Sequence, residues 1–190
     1  MLKIVTAPNP VLSNIAKPVF KVTPLVRDIV EEMKKALLSA KDPIGVGLAA
    51  PQVGYSLRIF IAKPTLKSPI LVFINPKIVS SIKYKVLSIK NDPILNTKYK
   101  IHNTKLEGCL SLPNIWGEVK RTPSIKISYM DEKGKKYSKE FNGFIATIIQ
   151  HEMDHLQGIL FTKRVLEQKG TLYKSHKDEK GEDVFEEIEI

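Results

Sequence analysis

The spacing of apolar residues predicts two helices of different character. Apolar residues recur every four positions from Leu25 to Leu37, with charged residues on the opposite face and a threonine–proline pair at the start. This pattern predicts an amphipathic helix over residues 24–40. The first turns of the segment 144–157 are apolar on nearly every side, which predicts a second helix, buried against protein and capped by Gly158.

Shorter runs rich in β-branched and aromatic residues predict strands. They are residues 57–62, 70–74, 78–82, 124–130 and 136–141. The last two runs flank a turn, so they predict an antiparallel hairpin. Residues 45–54 are too rich in glycine and proline to predict regular structure, whereas residues 83–105 predict an inserted hairpin or exposed loop.

Together these elements predict the α+β class, with short, mainly antiparallel sheets packed around a central buried helix, plus an N-terminal amphipathic helix. A chain of 190 residues, 43% hydrophobic and 26% charged, has the composition of a soluble globular domain. No apolar run approaches the roughly 20 residues of a membrane-spanning helix. The first ten residues carry neither an apolar leader nor a transit-peptide composition, so we expect a cytoplasmic protein.

Charge is unevenly distributed along the chain. The formal net charge is +10, yet residues 178–190 hold seven of the 20 acidic residues and only one of the 30 basic ones. We interpret this stretch as a solvated acidic tail on a strongly basic body. Such a body favours anionic partners such as RNA or a ribosome surface, the alternative being a lysine-rich surface without a specific partner. Neither a membrane nor specific DNA is expected as a partner.

The second helix carries the sequence His-Glu-Met-Asp-His at residues 151–155. Because a helix turns about 100° per residue, His151 and His155 lie on one face, where both imidazoles can bind one metal ion beside Glu152. This H-E-x-x-H pattern is typical of hydrolytic metalloenzymes. The alternative is a chance pairing on a solvated face, but this helix is apolar, and buried ionisable side chains are costly unless they are paired or coordinated.

Cys109 is the only cysteine, so no internal disulfide can form. An open catalytic metal site needs about three protein ligands, and after His155 only His176 and scattered acids remain, near a charged terminus. Cys109 lies upstream, within the apolar segment 107–113. By itself it is either a small buried hydrophobic residue or a thiolate that serves as ligand or nucleophile.

Three motifs make the chain resemble the peptide deformylases. They are G-x-G-L-A-A-P-Q-x-G at 45–54, E-G-C-L-S-x-P at 107–113 and Q-H-E-x-D-H-L-x-G at 150–158, in the family's order. The opening residues also resemble the family's N-terminal segment. The likeness covers residues 1–165, which predicts a catalytic domain there and leaves 166–190 as a charged C-terminal extension.

The resemblance implies a reaction and a cofactor. The reaction is removal of the N-terminal formyl group from formyl-methionyl nascent peptides, with release of formate. The cofactor is one divalent metal ion held by Cys109, His151 and His155. Fe²⁺ is expected in the cell, and Zn²⁺, Ni²⁺ or Co²⁺ can occupy such a site. One thiolate and two imidazoles suit a late first-row ion, but they do not separate iron from zinc.

The same resemblance implies roles in catalysis. Glu152 is expected to be the general base, which takes a proton from the attacking water and then delivers it to the departing amine. The side-chain amide of Gln52 and the backbone N–H of Leu110 are expected to stabilise the oxyanion. Either Glu107 or Asp154 is expected to accept the second ring N–H of a ligating histidine.

Substrate contacts are also implied. The residues concerned are Gly45, Val46, Gly47, Leu48, Thr147 and Ile148. The two glycines would let an extended peptide approach and pair strand-like with the chain. The last three would line the methionine pocket, although plain core packing is the alternative for Thr147 and Ile148.

Two departures from the family pattern concern the rim of the cleft. The stretch 76–107 is longer than usual, and Trp116 replaces a basic or small residue. Two rival functions remain. A zinc metalloprotease would need a third ligand downstream and leaves the segments 45–54 and 107–113 unexplained. A basic RNA-binding protein that retains an inactive fold would not need the intact set of site residues.

Overall fold

The computed structural model describes residues 2–41, 43–82 and 104–189. In these residues the chain forms three α-helices, α1 (Pro24–Ser39), α2 (Phe144–His155) and α3 (Phe161–Glu167). The strands are β1 (Gly47–Ala49), β2 (Ile59–Ala62), β3 (Leu71–Ile82), β4 (Thr104–Cys109), β5 (Leu112–Lys120), β6 (Ser124–Met130), β7 (Lys136–Asn142), β8 (Leu172–Lys177) and β9 (Asp183–Ile188).

The strands form two separate antiparallel sheets. The first has five strands in the order β1-β2-β3-β6-β7, and the second has four in the order β4-β5-β8-β9. Every described pair of neighbouring strands is antiparallel. The mixed α+β class with antiparallel sheets is therefore confirmed. None of the helices in the described part of the chain is long and apolar enough to cross a membrane.

Helix α1 packs its apolar face on the first sheet. Thr23 caps it, its Oγ1 accepting from the N–H of Val26 at 3.4 Å, and Pro24 occupies the first turn. Met33 and Leu37 are buried among residues of β1 and β2. Each such side chain contributes roughly 1.5–3 kcal/mol when it is removed from water. The predicted end at residue 40 differs by one position, since Ala40 is the C-cap.

Helix α2 lies between the two sheets. Ala146 and Ile149 are completely buried in the apolar cluster shared with β2, β3 and β6. The helix ends at His155, two residues before the predicted end, and Gly158 follows with φ of 69°. A side chain at Gly158 would also collide with the backbone of Ser13. Gly158 is therefore required both by its left-handed backbone and by this close approach.

The structure corrects two predictions for the first sheet and confirms a third. Regular structure was not expected in residues 45–54, yet Gly47–Ala49 is β1 and Ala50–Val53 is a 3₁₀ helix. Pairing with β2, at the register Gly47–Ala62, supplies the order that the local sequence does not. The separate runs 70–74 and 78–82 are one strand, β3, interrupted by register shifts. The predicted 124–130 and 136–141 hairpin is confirmed as β6 and β7.

The predicted insertion at residues 83–105 lies largely outside the described residues. Its last two residues, 104 and 105, begin β4 and pair with Lys120 and Val119 of β5. Of the two alternatives predicted for this stretch, a hairpin or an exposed loop, strand pairing at those two positions excludes only the loop there. β4 and β5 were not predicted because glycine, proline and charged residues interrupt their alternation, and their order comes from pairing with each other.

The acidic stretch is not a solvated tail. β9 pairs with β8, which in turn pairs with β5, so the C-terminal hairpin belongs to the second sheet. Lys177 Nζ lies 2.7 Å from Asp183 Oδ1, and Lys174 is opposite Glu186. Cross-strand pairs of opposite charge stabilise a sheet, which explains why an acidic strand is placed against a basic one. Helix α3 also continues across the predicted boundary at residues 165 and 166.

Candidate active site

A cleft of about 240 Å³ opens between α2 and the second sheet. We call its two sides the helix wall and the strand wall. The helix wall consists of residues 43–47 with Phe144, Thr147, Ile148, His151 and Glu152. The strand wall consists of residues 106–110 with Trp116. The chain segments of the two walls are far apart in sequence, so the cleft exists only because the second sheet packs beside α2.

Three side chains that could hold a metal ion meet at the base of the cleft. The ligand atoms of Cys109, His151 and His155 all lie within 4.8 Å of one another. Cys109 Sγ is 3.2 Å from His155 Nε2, and all three residues are buried. The two histidines are one helical turn apart on α2, while β4 supplies the cysteine. A buried thiolate and two imidazoles converging on one point fit a late first-row divalent ion with room for a further ligand.

Glu107 and Arg121 hold the first histidine. Nδ1 of His151 is 3.0 Å from Glu107 Oε2, which leaves Nε2 for a metal ion. Arg121 donates from Nε and Nη2 to the two oxygens of Glu107, each at 2.9 Å. Burial alone would raise the pKa of Glu107, but the hydrogen bonds from Arg121 and His151 outweigh it and lower this pKa to about 2. Glu107 is therefore ionised and fixed.

The second acid tightens the same network. Asp154 Oδ2 accepts from Arg121 Nη1 at 2.7 Å, and Arg164 Nη2 of α3 donates to Asp154 Oδ1 at 2.7 Å. Of the two predicted acceptors, Glu107 contacts a ligating histidine, whereas Asp154 contacts the arginines. Arg121 and Arg164 were missed from the sequence. Two buried acids require cationic partners, and the chain has only four arginines, but no local pattern points to these two.

Glu152 is buried on the helix wall without such a partner. Its Oε2 has no hydrogen-bond partner within the described ranges, and burial raises its pKa to about 7. Nδ1 of His155 likewise has no partner in the part of the chain that the structure describes. A buried carboxyl group with a pKa near neutrality can both accept and release a proton. Glu152 lines the same cleft as His151 and Cys109.

The two motif glycines are required by packing within the chain. A side chain at Gly47 would overlap the carboxylate of Glu152 and lie 2.9 Å from Cγ2 of Ile148. A side chain at Gly45 would lie 2.7 Å from Cδ1 of Leu37. Gly47 therefore creates the space in which Glu152 sits, a constraint that the sequence analysis did not identify.

Gln52 is oriented by its own 3₁₀ turn. Its Oε1 accepts from the backbone N–H of Ala49 at 2.8 Å, so the amide NH₂ points the other way. That group donates to Ser111 Oγ at 3.2 Å and lies 3.5 Å from Cys109 Sγ. Leu110 follows Cys109 in the turn between β4 and β5 and lines the cleft. Both predicted oxyanion donors thus lie beside the metal-binding cysteine.

The predicted pocket residues separate into two groups. Gly45, Val46, Gly47, Thr147 and Ile148 line the cleft. Leu48 does not: it is completely buried in the core with α1, so the prediction that it lines the pocket is corrected. Neighbouring residues of a strand point to opposite faces, and Gly47 already faces the cleft. Sequence reasoning missed Leu106 and Phe144, which also line it.

The comparisons with known proteins agree with this geometry. A family profile described as polypeptide deformylase matches residues 1–170. Among curated relatives, the peptide deformylase of Borreliella burgdorferi is 35% identical over 181 residues, covering 95% of this chain and 98% of that protein. The peptide deformylase of Chlorobaculum parvum is 36% identical over 169 residues, covering 87% of this chain and 80% of that protein.

Solved structures show the same likeness. The peptide deformylase of Thermotoga maritima superposes with a TM-score of 0.72 at 33% identity, covering 86% of this chain and 97% of that one. A peptide deformylase from Synechococcus elongatus, solved in complex with actinonin, gives a TM-score of 0.71 at 34% identity, covering 86% and 78% of the two chains. The chain therefore belongs to the polypeptide deformylase family.

Proposed function

We propose that the protein is a metal-dependent hydrolase that removes the N-terminal formyl group from formyl-methionyl nascent peptides and releases formate. The observation that carries this proposal is the convergence of Cys109, His151 and His155 beside the buried carboxyl group of Glu152. Membership of the family assigns the reaction type. The fold class agrees, with the H-E-x-x-H segment on the central helix α2.

Cys109, His151 and His155 would hold one divalent ion. When bound, such an ion supplies Lewis acidity, which lowers the pKa of a water molecule and polarises a carbonyl group. We propose Fe²⁺ as the cellular ion, and Zn²⁺, Ni²⁺ or Co²⁺ as ions that the same donor set accepts. In the metal-free protein, hydrogen bonds with Cys109 and Glu107 outweigh burial and raise the pKa of His151.

Glu152 is proposed to move the proton. Its carboxylate takes a proton from the attacking water and delivers it to the departing amine nitrogen of methionine. A pKa of about 7 suits both transfers near neutral pH. The amide of Gln52 and the backbone N–H of Leu110 are proposed to donate to the oxyanion that develops on the formyl oxygen. The fixed orientation of Gln52 supports this role, because a preorganised donor does not have to reorient during the reaction.

The substrate is proposed to bind along β1. This strand is the outer strand of the first sheet in the described residues, and the segment Gly45, Val46 and Gly47 lines the cleft. An extended peptide can add to such an edge through backbone hydrogen bonds. The methionine side chain would then lie against Thr147 and Ile148 of α2.

Domain, location and partner assignments are also proposals. We assign the catalytic function to residues 1–165 and treat 166–190 as a charged C-terminal extension. This extension supplies β8 and β9 to the second sheet. A cytoplasmic location and contact with a ribosome surface suit an enzyme acting on nascent chains. The net charge of +10 supports an anionic partner of this kind.

One experiment tests the proposed function against its rivals. Metal content and formate release from formyl-Met-Ala-Ser are measured for the native chain and for Cys109→Ser. We expect stoichiometric metal and formate release for the native chain, and loss of both for the variant, because a hydroxyl is a poorer ligand than a thiolate.

Each rival predicts a different outcome. A metalloprotease would cleave internal peptide bonds without releasing formate, and an RNA-binding protein with an inactive fold would release none. Chelation of the native protein followed by return of Fe²⁺ or Zn²⁺ is the matched control, since it removes the metal without altering the chain. Full activity of Cys109→Ser would contradict the ligand assignment.

A further inference from the structure

Trp116 joins the C-terminal hairpin to the strand wall of the cleft. It lies on β5 opposite Gly108 of β4, the residue before Cys109. A side chain at Gly108 would lie only 2.9 Å from the indole ring, so the ring covers this glycine. The indole is therefore held directly beside the backbone that carries the metal-binding cysteine, and it lines the cleft.

Two residues of the C-terminal hairpin hold the other side of the indole. Nε1–H of Trp116 donates to Oγ of Ser175 on β8 at 3.0 Å, and Ser175 is buried. The ring of Phe185 on β9 meets the indole edge-on, with centroids 5.7 Å apart and planes inclined by 81°. Ser175 and Phe185 are cross-strand partners. We call Gly108, Trp116, Ser175 and Phe185 the indole row, since they cross all four strands of the second sheet.

The indole row is separate from the core of the second sheet. The buried cluster there is formed by Cys109, Val119, Phe161, Val165 and Leu172, and Gly117 faces it closely. Trp116 precedes Gly117, so its side chain points to the opposite face of the sheet. The indole is only partly buried, and the surface it exposes contributes to the cleft.

We propose that Trp116 is a specificity-determining residue, which contacts apolar side chains of the substrate residues that follow methionine, and that Ser175 and Phe185 are its positioning residues. This proposal rests on the proposed function and names a determinant of its substrate choice. The formyl group must reach the metal ligands at the base of the cleft. The chain beyond methionine then passes the indole face, where an apolar or aromatic side chain is favoured by burial and ring packing.

The profile match ends at residue 170, before β8 begins at Leu172. The hairpin that supplies Ser175 and Phe185 therefore lies beyond the matched region.

The test compares two peptides, formyl-Met-Ala-Ser and formyl-Met-Leu-Phe. We expect Trp116→Leu to reduce the preference for the apolar peptide by roughly fivefold to tenfold, the size of one aromatic contact, mainly through KM. Trp116→Phe should retain part of the preference, because it keeps an aromatic ring. Ser175→Ala and Phe185→Ala should reduce the preference for the apolar peptide less than Trp116→Leu does. Ser175→Thr, which keeps the hydroxyl group, should retain the preference.

Exposed residues outside the cleft provide matched controls. Phe20, which is 96% exposed, is replaced by alanine to match Phe185→Ala, and Ser81, also exposed, is replaced to match Ser175→Ala. Neither control should change the ratio of kcat/KM values for the two peptides. An equal loss for both peptides in Trp116→Leu would overturn the proposal, because it would show a purely structural role.

Fluorescence separates this proposal from the proposed function. Trp116 is the only tryptophan, so the protein's tryptophan emission reports on it alone. In the Glu152→Gln variant, titration with formyl-Met-Leu-Phe should change the emission with saturation, and Ser175→Ala should shift it without peptide. If the emission responded to peptide and the native chain released no formate, the proposed function would be rejected and the contact with Trp116 would stand. Binding without any emission change, or no binding of either peptide, would overturn the contact itself.

Discussion

The two walls of the cleft each carry a buried glutamate, and the two have opposite properties. Burial by itself would raise the pKa of both carboxyl groups. The pKa of Glu152 is indeed raised to about 7, whereas that of Glu107 is lowered to about 2. The difference comes from the partners. Glu107 on the strand wall receives two hydrogen bonds from Arg121, whereas Oε2 of Glu152 on the helix wall has none among the described residues. The same type of side chain is therefore a fixed carboxylate on one wall and titrates near neutral pH on the other.

The largest effect is expected from removing the proton carrier of the helix wall. Glu152→Gln keeps the shape of the side chain but cannot take a proton, so turnover should fall by about 10²–10⁴-fold or more. Metal content should stay unchanged. Formate release and bound metal are measured together on the same preparation.

The matched change on the strand wall is Glu107→Gln, which should instead lower metal affinity by about 10–100-fold, because it loosens His151. Normal turnover of Glu152→Gln would contradict its role in proton transfer. Equal changes of turnover and metal affinity in the two variants would contradict the separate roles proposed for the two glutamates.

The next effect concerns Arg121, the cation that pairs with Glu107 of the strand wall. Arg121→Ala leaves the carboxylates of Glu107 and Asp154 with fewer partners in a buried site, which costs about 3–5 kcal/mol of stability. The free energy of unfolding in urea is measured on the metal-free protein. Arg164→Ala is the control: its side chain is 30% exposed and Asp154 keeps Arg121, so the loss should be smaller. Equal losses of unfolding free energy in the two variants would show that Arg121 stabilises the buried acids no more than Arg164 does.

A similar but slightly smaller effect is expected from the oxyanion donor beside the strand wall. Gln52→Leu removes an amide that lies beside Cys109, and one such donor contributes roughly 3 kcal/mol to the barrier. Turnover should therefore fall about 100-fold while metal content stays constant. Steady-state kinetics with formyl-Met-Ala-Ser measure both constants. A rise in KM without a fall in kcat would make Gln52 a binding residue.

The smallest effect is the pH dependence of stability that Glu107 of the strand wall contributes. The pKa of Glu107 is lowered from 4.5 to about 2, so its contribution is complete above pH 4.5 and is lost as pH falls towards 2. The total is at most about 3 kcal/mol. Urea unfolding of the metal-free protein across this range should show the loss, and Glu107→Gln should show less of it. Equal slopes for the two proteins would contradict the lowered pKa.

The two longer helices and the β6–β7 hairpin were largely predictable, and the second sheet was not. α1, α2 and the β6–β7 hairpin follow from apolar spacing within a dozen or so neighbouring residues, a signal that burial imposes locally. β4, β5 and the C-terminal hairpin have no such signal, because charged and glycine residues interrupt their alternation and pairing between strands supplies their order. The acidic residues of β9 predicted a solvated tail. The structure instead pairs Asp183 of β9 with Lys177 of β8.

The same division holds for the site. The H-E-x-x-H spacing on α2 points to His151, Glu152 and His155 directly, and the resemblance added Cys109 and Gln52. Arg121 and Arg164 could not be found, since an arginine that neutralises a buried acid has no local pattern. Leu48 was misplaced because its neighbour in the motif faces the cleft, and alternation along β1 turns Leu48 to the core.

The ion network across the two walls has a consequence for how the chain folds. Arg121 bridges Glu107 of the strand wall and Asp154 of α2. Before β4 and β5 pack beside α2, Arg121 is not in place. Burial of Glu152, Asp154 and the two histidines of α2 without this cation would be unfavourable. The inward face of α2 must therefore stay hydrated while the first sheet forms, and it closes only when the distant strands dock. Contacts between segments far apart in sequence form slowly, so we expect the docking of the second sheet beside α2 to be a late step in folding.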